Sequence, residues 1–188
     1  MKKTLSLALA LVLALSLTAC GSKTDDSKTE TRLPADAVTL LNDAWEAIPE
    51  GERFPAGGGD AENTVDGAPG AFGIEDVDYL SYMLTFPAED IDKIDSAASL
   101  VHMMNLNSFT CGAFHAVSTD DAATLAQDLR DAIASKQWMC GFPDKLVVMT
   151  LGEYVVSMYG LNENIDTFRD KLVEAYPDTV VVFDEAIA

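Results

Sequence analysis

The first apolar segment of the chain is continuous rather than periodic, and it directly follows two lysines. Leu5 to Leu17 contains only Leu, Ala, Val and Ser, and Lys2 and Lys3 precede it. About 20 apolar residues are needed to cross the hydrocarbon core of a bilayer, whereas this run ends earlier, before a stretch of Gly, Ser, Lys and Asp. Residues 1–19 therefore indicate an export signal peptide rather than a transmembrane anchor.

Three later segments repeat apolar residues at helical spacing. The first runs from Ala35 to Ile48, between Pro34 and Pro49. The second starts at Ser118, a hydroxyl residue that can cap a helix and is followed by acids that favour the positive end of the helix dipole. The third runs from about Glu163 to Tyr176. Each of these segments is predicted to be an amphipathic helix.

Other apolar runs are short and fit strands. Leu146–Leu151 and Tyr154–Tyr159 flank Gly152-Glu153, which favours a type II′ hairpin. The pairing places six side chains on one face toward the core. These are Val147, Met149, Leu151, Tyr154, Val156 and Met158. Further strands are predicted at 109–117 and 179–183. The run at 97–104 fits a strand or a helix, and its position beside a turn favours the strand, while 74–86 fits a short helix running into a strand.

The predicted fold is α+β. A shift of 43 positions lays Ala113–Ile133 on Val156–Tyr176, so that the apolar helix positions coincide and the region forms two successive hairpin-plus-helix units. These units predict a two-layer sandwich, in which an antiparallel sheet carries the helices on one face. The domain plan is a signal peptide at 1–19, a flexible tether at 20–34, an amphipathic helix with a Gly/Pro-rich loop at 35–72, and the α+β domain at 73–188.

Cys20 closes the string Leu17-Thr18-Ala19-Cys20, in which small residues precede a cysteine at the point where a signal peptide would be cut. This pattern is typical of bacterial lipoproteins and predicts that the Cys20 thiol carries the lipid. The mature chain would then be held on the extracytoplasmic face of the cell membrane, because each buried acyl methylene contributes roughly 0.8 kcal/mol of membrane affinity.

The charge is strongly negative. The chain has 12 basic and 31 acidic residues, and loss of residues 1–19 leaves 10 basic residues and a net charge near −21. Such a field repels nucleic acid and anionic headgroups and attracts cations or basic partners. The acids at 60, 62 and 66 and at 90, 92 and 95 do not have calcium-loop spacing, which favours solvated loops over a metal site.

Cys111 and Cys140 are the cysteines that remain beside Cys20 in the mature chain. An extracytoplasmic location permits a disulfide between them, and two buried thiols are the alternative. Cys140 lies in a string similar to the Trp-Cys-Gly-X-Cys-Pro of thiol oxidoreductases, but Phe142 replaces the second cysteine, so that a dithiol cycle cannot run. His102 and His115 are predicted on opposite faces of one hairpin, unable to share a metal.

The chain resembles small uncharacterised lipoprotein families of Gram-positive, clostridial-type bacteria. The resemblance rests on the lipobox at 17–20, on Gly73-Ile74-Glu75-Asp76-Val77 at the start of the domain, and on the order of elements over 73–176. It implies a cell-surface α+β lipoprotein with a domain of unknown function, and it transfers no functional residues.

The sequence thus predicts a lipid-anchored extracytoplasmic domain that binds a protein or a small ligand. It identifies no catalytic residue, no metal ligand and no cofactor. Two alternatives stay open: a small surface enzyme that uses Cys140 with a histidine, and an acidic lipoprotein that binds cations through its loops.

Overall fold

The computed structural model describes residues 32–139 and 141–187. Four helices lie in this part of the chain: α1 (Ala37–Glu46), α2 (Val77–Leu84), α3 (Thr119–Ser135) and α4 (Asn162–Ala175). The strands are β1 (Ala56–Gly58), β2 (Val65–Asp66), β3 (Gly70–Phe72), β4 (Ile94–His102), β5 (Phe109–Ala116), β6 (Lys145–Leu151), β7 (Tyr154–Gly160) and β8 (Val180–Ala186).

The eight strands form one antiparallel sheet in the order β2-β1-β4-β5-β7-β6-β8. The strand β3 lies outside this path because it pairs with the middle of β4, from Ala97 to Ser99, while β1 pairs with its last two residues. The predicted α+β class with an antiparallel sheet is confirmed.

Both faces of the sheet are covered, so the expectation that the helices share one face is wrong. On one face α1 and α4 bury Trp45 and Phe168 against Ala113 and Val156. On the other, α2 and α3 pack Leu84 and Leu129 against neighbouring strand positions. Helical periodicity identifies which side of a helix is buried, but it does not say which side of a sheet that helix covers.

The central strands explain this two-sided packing. Consecutive side chains of a strand point to opposite faces, and in Leu146-Val147-Val148-Met149 all four are apolar and buried. A strand with one wet face alternates apolar and polar residues, whereas this run does not alternate. The uninterrupted apolar run was therefore the sequence signal for a second layer of helices.

The predicted hairpin is confirmed in detail. Leu151 pairs with Tyr154, Met149 with Val156 and Val147 with Met158, and all six side chains lie in the core cluster under α1 and α4. A type II′ turn requires a positive φ at its first central residue and a negative φ at its second. Gly152 has a φ of +60°, and Glu153 is not among the residues with a positive φ, so the turn matches this type.

The segment at 50–72 is not the long loop that its glycines suggested, because it contains three short strands at the edge of the sheet. Its glycines allow backbones to approach each other closely. A Cβ added at Gly70 would lie 2.6 Å from the Gly59 nitrogen, closer than side chains tolerate. Gly59 also has a φ of +80°, which favours glycine.

We predict that truncation of the core on either face destabilises the domain to a similar extent. Leu129→Ala in α3 and Leu172→Ala in α4 each remove a fully buried side chain, and each should lower the free energy of unfolding by about 2 to 5 kcal/mol in urea titrations. Val182→Ala, at a side chain 41% exposed in β8, is the control and should change it by less than about 0.5 kcal/mol. A full effect from only one leucine would contradict the three-layer packing.

Candidate functional site

The structure describes one of the three cysteines of the chain. Cys20 and Cys140 lie outside the described residues. Cys111 lies in β5 and is fully buried, and this burial raises the pKa of its thiol. Lipid attachment at Cys20 and a bond between Cys111 and Cys140 therefore stay predictions.

The two histidines lie on the same face of the sheet, not on opposite faces as predicted. Val101 pairs with Thr110 and Ser96 with His115, so the hairpin register differs from the one centred on Asn107. His102 stacks on Phe54 at one end of the sheet, with 5.3 Å between ring centroids. His115 lies at the other end, where its Nδ1 is 2.8 Å from Asp95 Oδ1. Their separation along the sheet, rather than their faces, keeps them from a shared metal.

The acids at 90, 92 and 95 do not form one group. Asp90 is buried, and its Oδ1 is 2.7 Å from Lys93 Nζ, which also pairs with Asp128. Burial raises the pKa of Asp90, and the nearby Asp128 carboxylate contributes in the same direction. This buried ion pair attaches the turn before β4 to α3 and so has a structural role, whereas a solvated loop was expected.

Two of the three acids of the glycine-rich segment line a cavity of about 310 Å³. Asp60 and Glu62 follow β1, and Glu75, Asp76 and Tyr79 come from the start of α2. The volume is at the lower end of the range for small-molecule sites. Two segments that are separate in the sequence thus meet in one concave acidic site, which we call the acidic cavity.

Asp60 organises the loop that forms the cavity. Its Oδ1 accepts hydrogen bonds from the backbone N–H groups of Glu62 and Asn63, both at 2.8 Å, and its Oδ2 accepts from the N–H of Gly73 at 2.6 Å. Partial burial raises the pKa of Asp60, but these hydrogen bonds to the charged form outweigh it, so the net pKa lies below the ordinary value. Asp60 is therefore a carboxylate at neutral pH and ties the loop to the end of β3.

Gly73 forms the floor of the acidic cavity because it has no side chain. A Cβ at this position would lie 3.0 Å from Asp60 Oδ2 and 3.1 Å from Glu75 Oε2. Both carboxylates thus lie close to the space above the glycine. Tyr79 adds an aromatic side, and its ring stacks on Phe72 of β3 at a centroid distance of 5.5 Å.

This arrangement suits a positively charged organic group. Carboxylates attract the charge, and the Tyr79 ring can contact a cation through its electron-rich face. Across residues 32–139 and 141–187, no three His, Cys, Asp or Glu side chains are arranged to hold a metal ion.

Sequence reasoning noted Asp60 and Glu62 but missed Glu75, Asp76 and Tyr79. The spacing of Asp60 and Asn63 was a local signal for a side-chain-capped turn. Nothing local indicated that this turn would lie beside α2.

No protein-family model, curated protein or solved structure matches this chain. Among the described residues, no helix combines the length and the apolar character needed to cross a bilayer.

We predict that Asp60→Ala destabilises the domain by about 1 to 2 kcal/mol at neutral pH, because it leaves three backbone N–H groups without their acceptor. The folded-state pKa of Asp60 is lowered, so its stabilisation is complete above the ordinary carboxyl pKa and is lost as pH falls through the folded value. The difference in the free energy of unfolding between Asp60→Ala and the wild type should therefore become smaller below about pH 4. Urea titrations across pH measure it, with Asp66→Ala at an exposed position as the control. A difference that is constant with pH would argue against a role of the Asp60 charge.

Proposed function

We propose that this chain is a lipid-anchored, extracytoplasmic binding domain whose acidic cavity takes a small organic cation. The lipobox at 17–20 supports the anchored location, since a cysteine directly behind an apolar signal segment is where a bacterial lipid would be attached. The lipid anchor would keep the domain at the membrane surface, where it can bind ligands from the extracytoplasmic space.

The closeness of Asp60 and Glu75 to the space above Gly73 is the observation that carries the ligand class. The protein has a net charge of −19, so a free anion is repelled before it reaches the cavity. Within the cavity, a primary or quaternary ammonium group could approach both carboxylates and the Tyr79 ring at once. An amine of a few carbons, or the side chain of a Lys or Arg residue, fits about 310 Å³.

The field of the whole domain supports the same ligand class. Of the eight Lys and Arg residues in the described part, six form ion pairs with carboxylates, so most of the positive charge is already neutralised locally. The excess acids remain to attract cations from solution. Because this long-range attraction is screened over about 8 Å at physiological salt, the ligand affinity should decrease as salt is added.

Lipid attachment is tested in cells that produce the full chain. Radiolabelled palmitate should enter the protein, and Cys20→Ala should abolish the label and release the domain from membranes. Cys111→Ala is the matched control and should keep both the label and the membrane fraction. Incorporation that persists in the Cys20 variant would refute the assigned attachment site.

Cation binding is tested by calorimetric titration of the soluble domain with putrescine and with tetramethylammonium. We expect saturable binding, weakened by up to about fivefold in Glu75→Gln, because one partly solvated charge contact is worth up to about 1 kcal/mol. Gly73→Ala should weaken it further, since the added methyl fills the floor between the carboxylates.

Gly51→Ala is the matched glycine control, because a Cβ at Gly51 meets nothing within 4 Å. Its affinity should equal that of wild type. Equal binding in the Gly73 variant, or binding of butanol as strong as that of putrescine, would exclude the acidic cavity as a cation site.

A further inference from the structure

One end of the domain displays large apolar side chains. Met103, Met104, Met139 and Phe142 are 58, 80, 79 and 70% exposed, and we call this group the apolar tip. They belong to two connections, the one between β4 and β5 and the one between α3 and β6. Exposed apolar side chains of this size are ordinary when scattered, but grouped ones are typical of interaction sites.

The two connections are joined by Asn107. Its side-chain amide donates hydrogen bonds to the carbonyl oxygens of Met139 and Gly141, at 3.4 and 3.0 Å. The two loops are therefore in contact at the same end of the sheet, and the tip combines exposed apolar residues from both.

The support beneath the tip is well packed. The Trp138 ring contacts the buried Tyr159 ring at a centroid distance of 4.9 Å, and Lys136 Nζ lies over both rings. Lys136 Nζ also donates to Thr85 Oγ1 at 2.8 Å. This packing holds the start of the second loop, which continues into the exposed Met139.

The tip also differs from the rest of the surface in charge. Residues 102–108 and 136–143 contain no Asp or Glu, although the chain has 31, and they include one lysine. Two acids lie next to these loops: Asp144 follows the second loop, and Glu163 lies in the first turn of α4, where the neighbouring Asn164 donates a hydrogen bond to the Ser108 carbonyl oxygen. The surface is thus an uncharged apolar centre with an acidic rim, which complements an apolar patch bordered by Lys or Arg.

The position of the chain entry indicates which kind of partner reaches the tip. Leu33 lies at the β6–β7 turn, within 3.3 Å of a Cβ placed on Gly152, whereas the tip lies at the other end of β7 near Gly160. Seven strand residues separate these ends by roughly 23 Å. The first described residues therefore lie at the end of the domain remote from the tip. Together with the acids beside the tip, which repel anionic headgroups, this favours a protein occupant over the bilayer.

We propose that the apolar tip is a docking surface for a partner protein that presents an apolar patch bordered by basic residues. The choice of a protein as the occupant rests on the membrane anchoring in the proposed function, whereas the docking surface is inferred from the exposed side chains alone. Methionines suit such a role because their flexible, polarisable side chains adapt to a partner's shape. The acidic rim would speed the encounter and set the orientation, and the apolar centre would supply most of the affinity.

The test is site-specific photocrosslinking in cells that produce the full chain. Benzoylphenylalanine is placed at Met104 or at Phe142, and the control position is Tyr82, which is 75% exposed on α2. We expect one discrete protein adduct from the two tip positions and none from Tyr82. Mass spectrometry should locate the adduct on an apolar partner peptide flanked by Lys or Arg, and adding Met139→Glu should reduce its yield about tenfold.

Adducts with lipid, adducts with a second copy of this chain, or no adduct at all would overturn the proposal. An unchanged melting temperature of the Met139→Glu variant shows that a lost adduct does not come from unfolding. Palmitate labelling of the same samples separates the two proposals: labelled protein without an adduct refutes the docking surface alone, and an adduct on unlabelled protein refutes the anchor alone.

Discussion

The structure depends on burial of its central strands from both sides. Phe114 and Val155 pair across β5 and β7 and face α2 and α3, whereas the adjacent pair, Ala113 and Val156, faces α1 and α4. Burial of one such side chain contributes about 1.5 to 3 kcal/mol, so a layer of helices missing from either face would expose several of them together. Because both faces of the sheet are used for packing, any surface available to a ligand lies at the edges of the sheet or in the loops at its ends.

The glycine-rich edge shows how this constraint shapes the acidic cavity. Here backbones pack directly on each other, and side chains that would fill the space are absent. Asp60 replaces an apolar core, because a single carboxylate satisfies backbone N–H groups from two separate segments. Such a charge-assisted network holds a short loop without burying much apolar surface. The residues that organise the cavity are therefore also the residues that give it its charge.

Sequence patterns predicted those features that depend on neighbours in the chain. The Ser118 cap, which accepts from the N–H of Asp121, and the turn at Gly152 are local, and both were predicted correctly. Other features depend on contacts between distant segments, which no local pattern encodes. These are the face of the sheet that α3 covers, the register of β4 on β5, and the proximity of Asp60 to Glu75. Glycine was the ambiguous signal, because it permits both flexible loops and close backbone packing.

The acidic cavity and the apolar tip are far enough apart for both proposed sites to be occupied at once. The acidic cavity adjoins the end of β3, which pairs with β4 near Ala97, whereas Met103 follows the last residue of β4. About six strand residues, or roughly 20 Å, separate the two positions, so a small cation and a partner protein need not compete for space. Charge would couple them nevertheless, since a bound cation reduces the negative field that attracts a basic rim. This coupling is purely electrostatic and decays with the Debye length, near 8 Å at physiological salt, so it is weak unless the salt concentration is low.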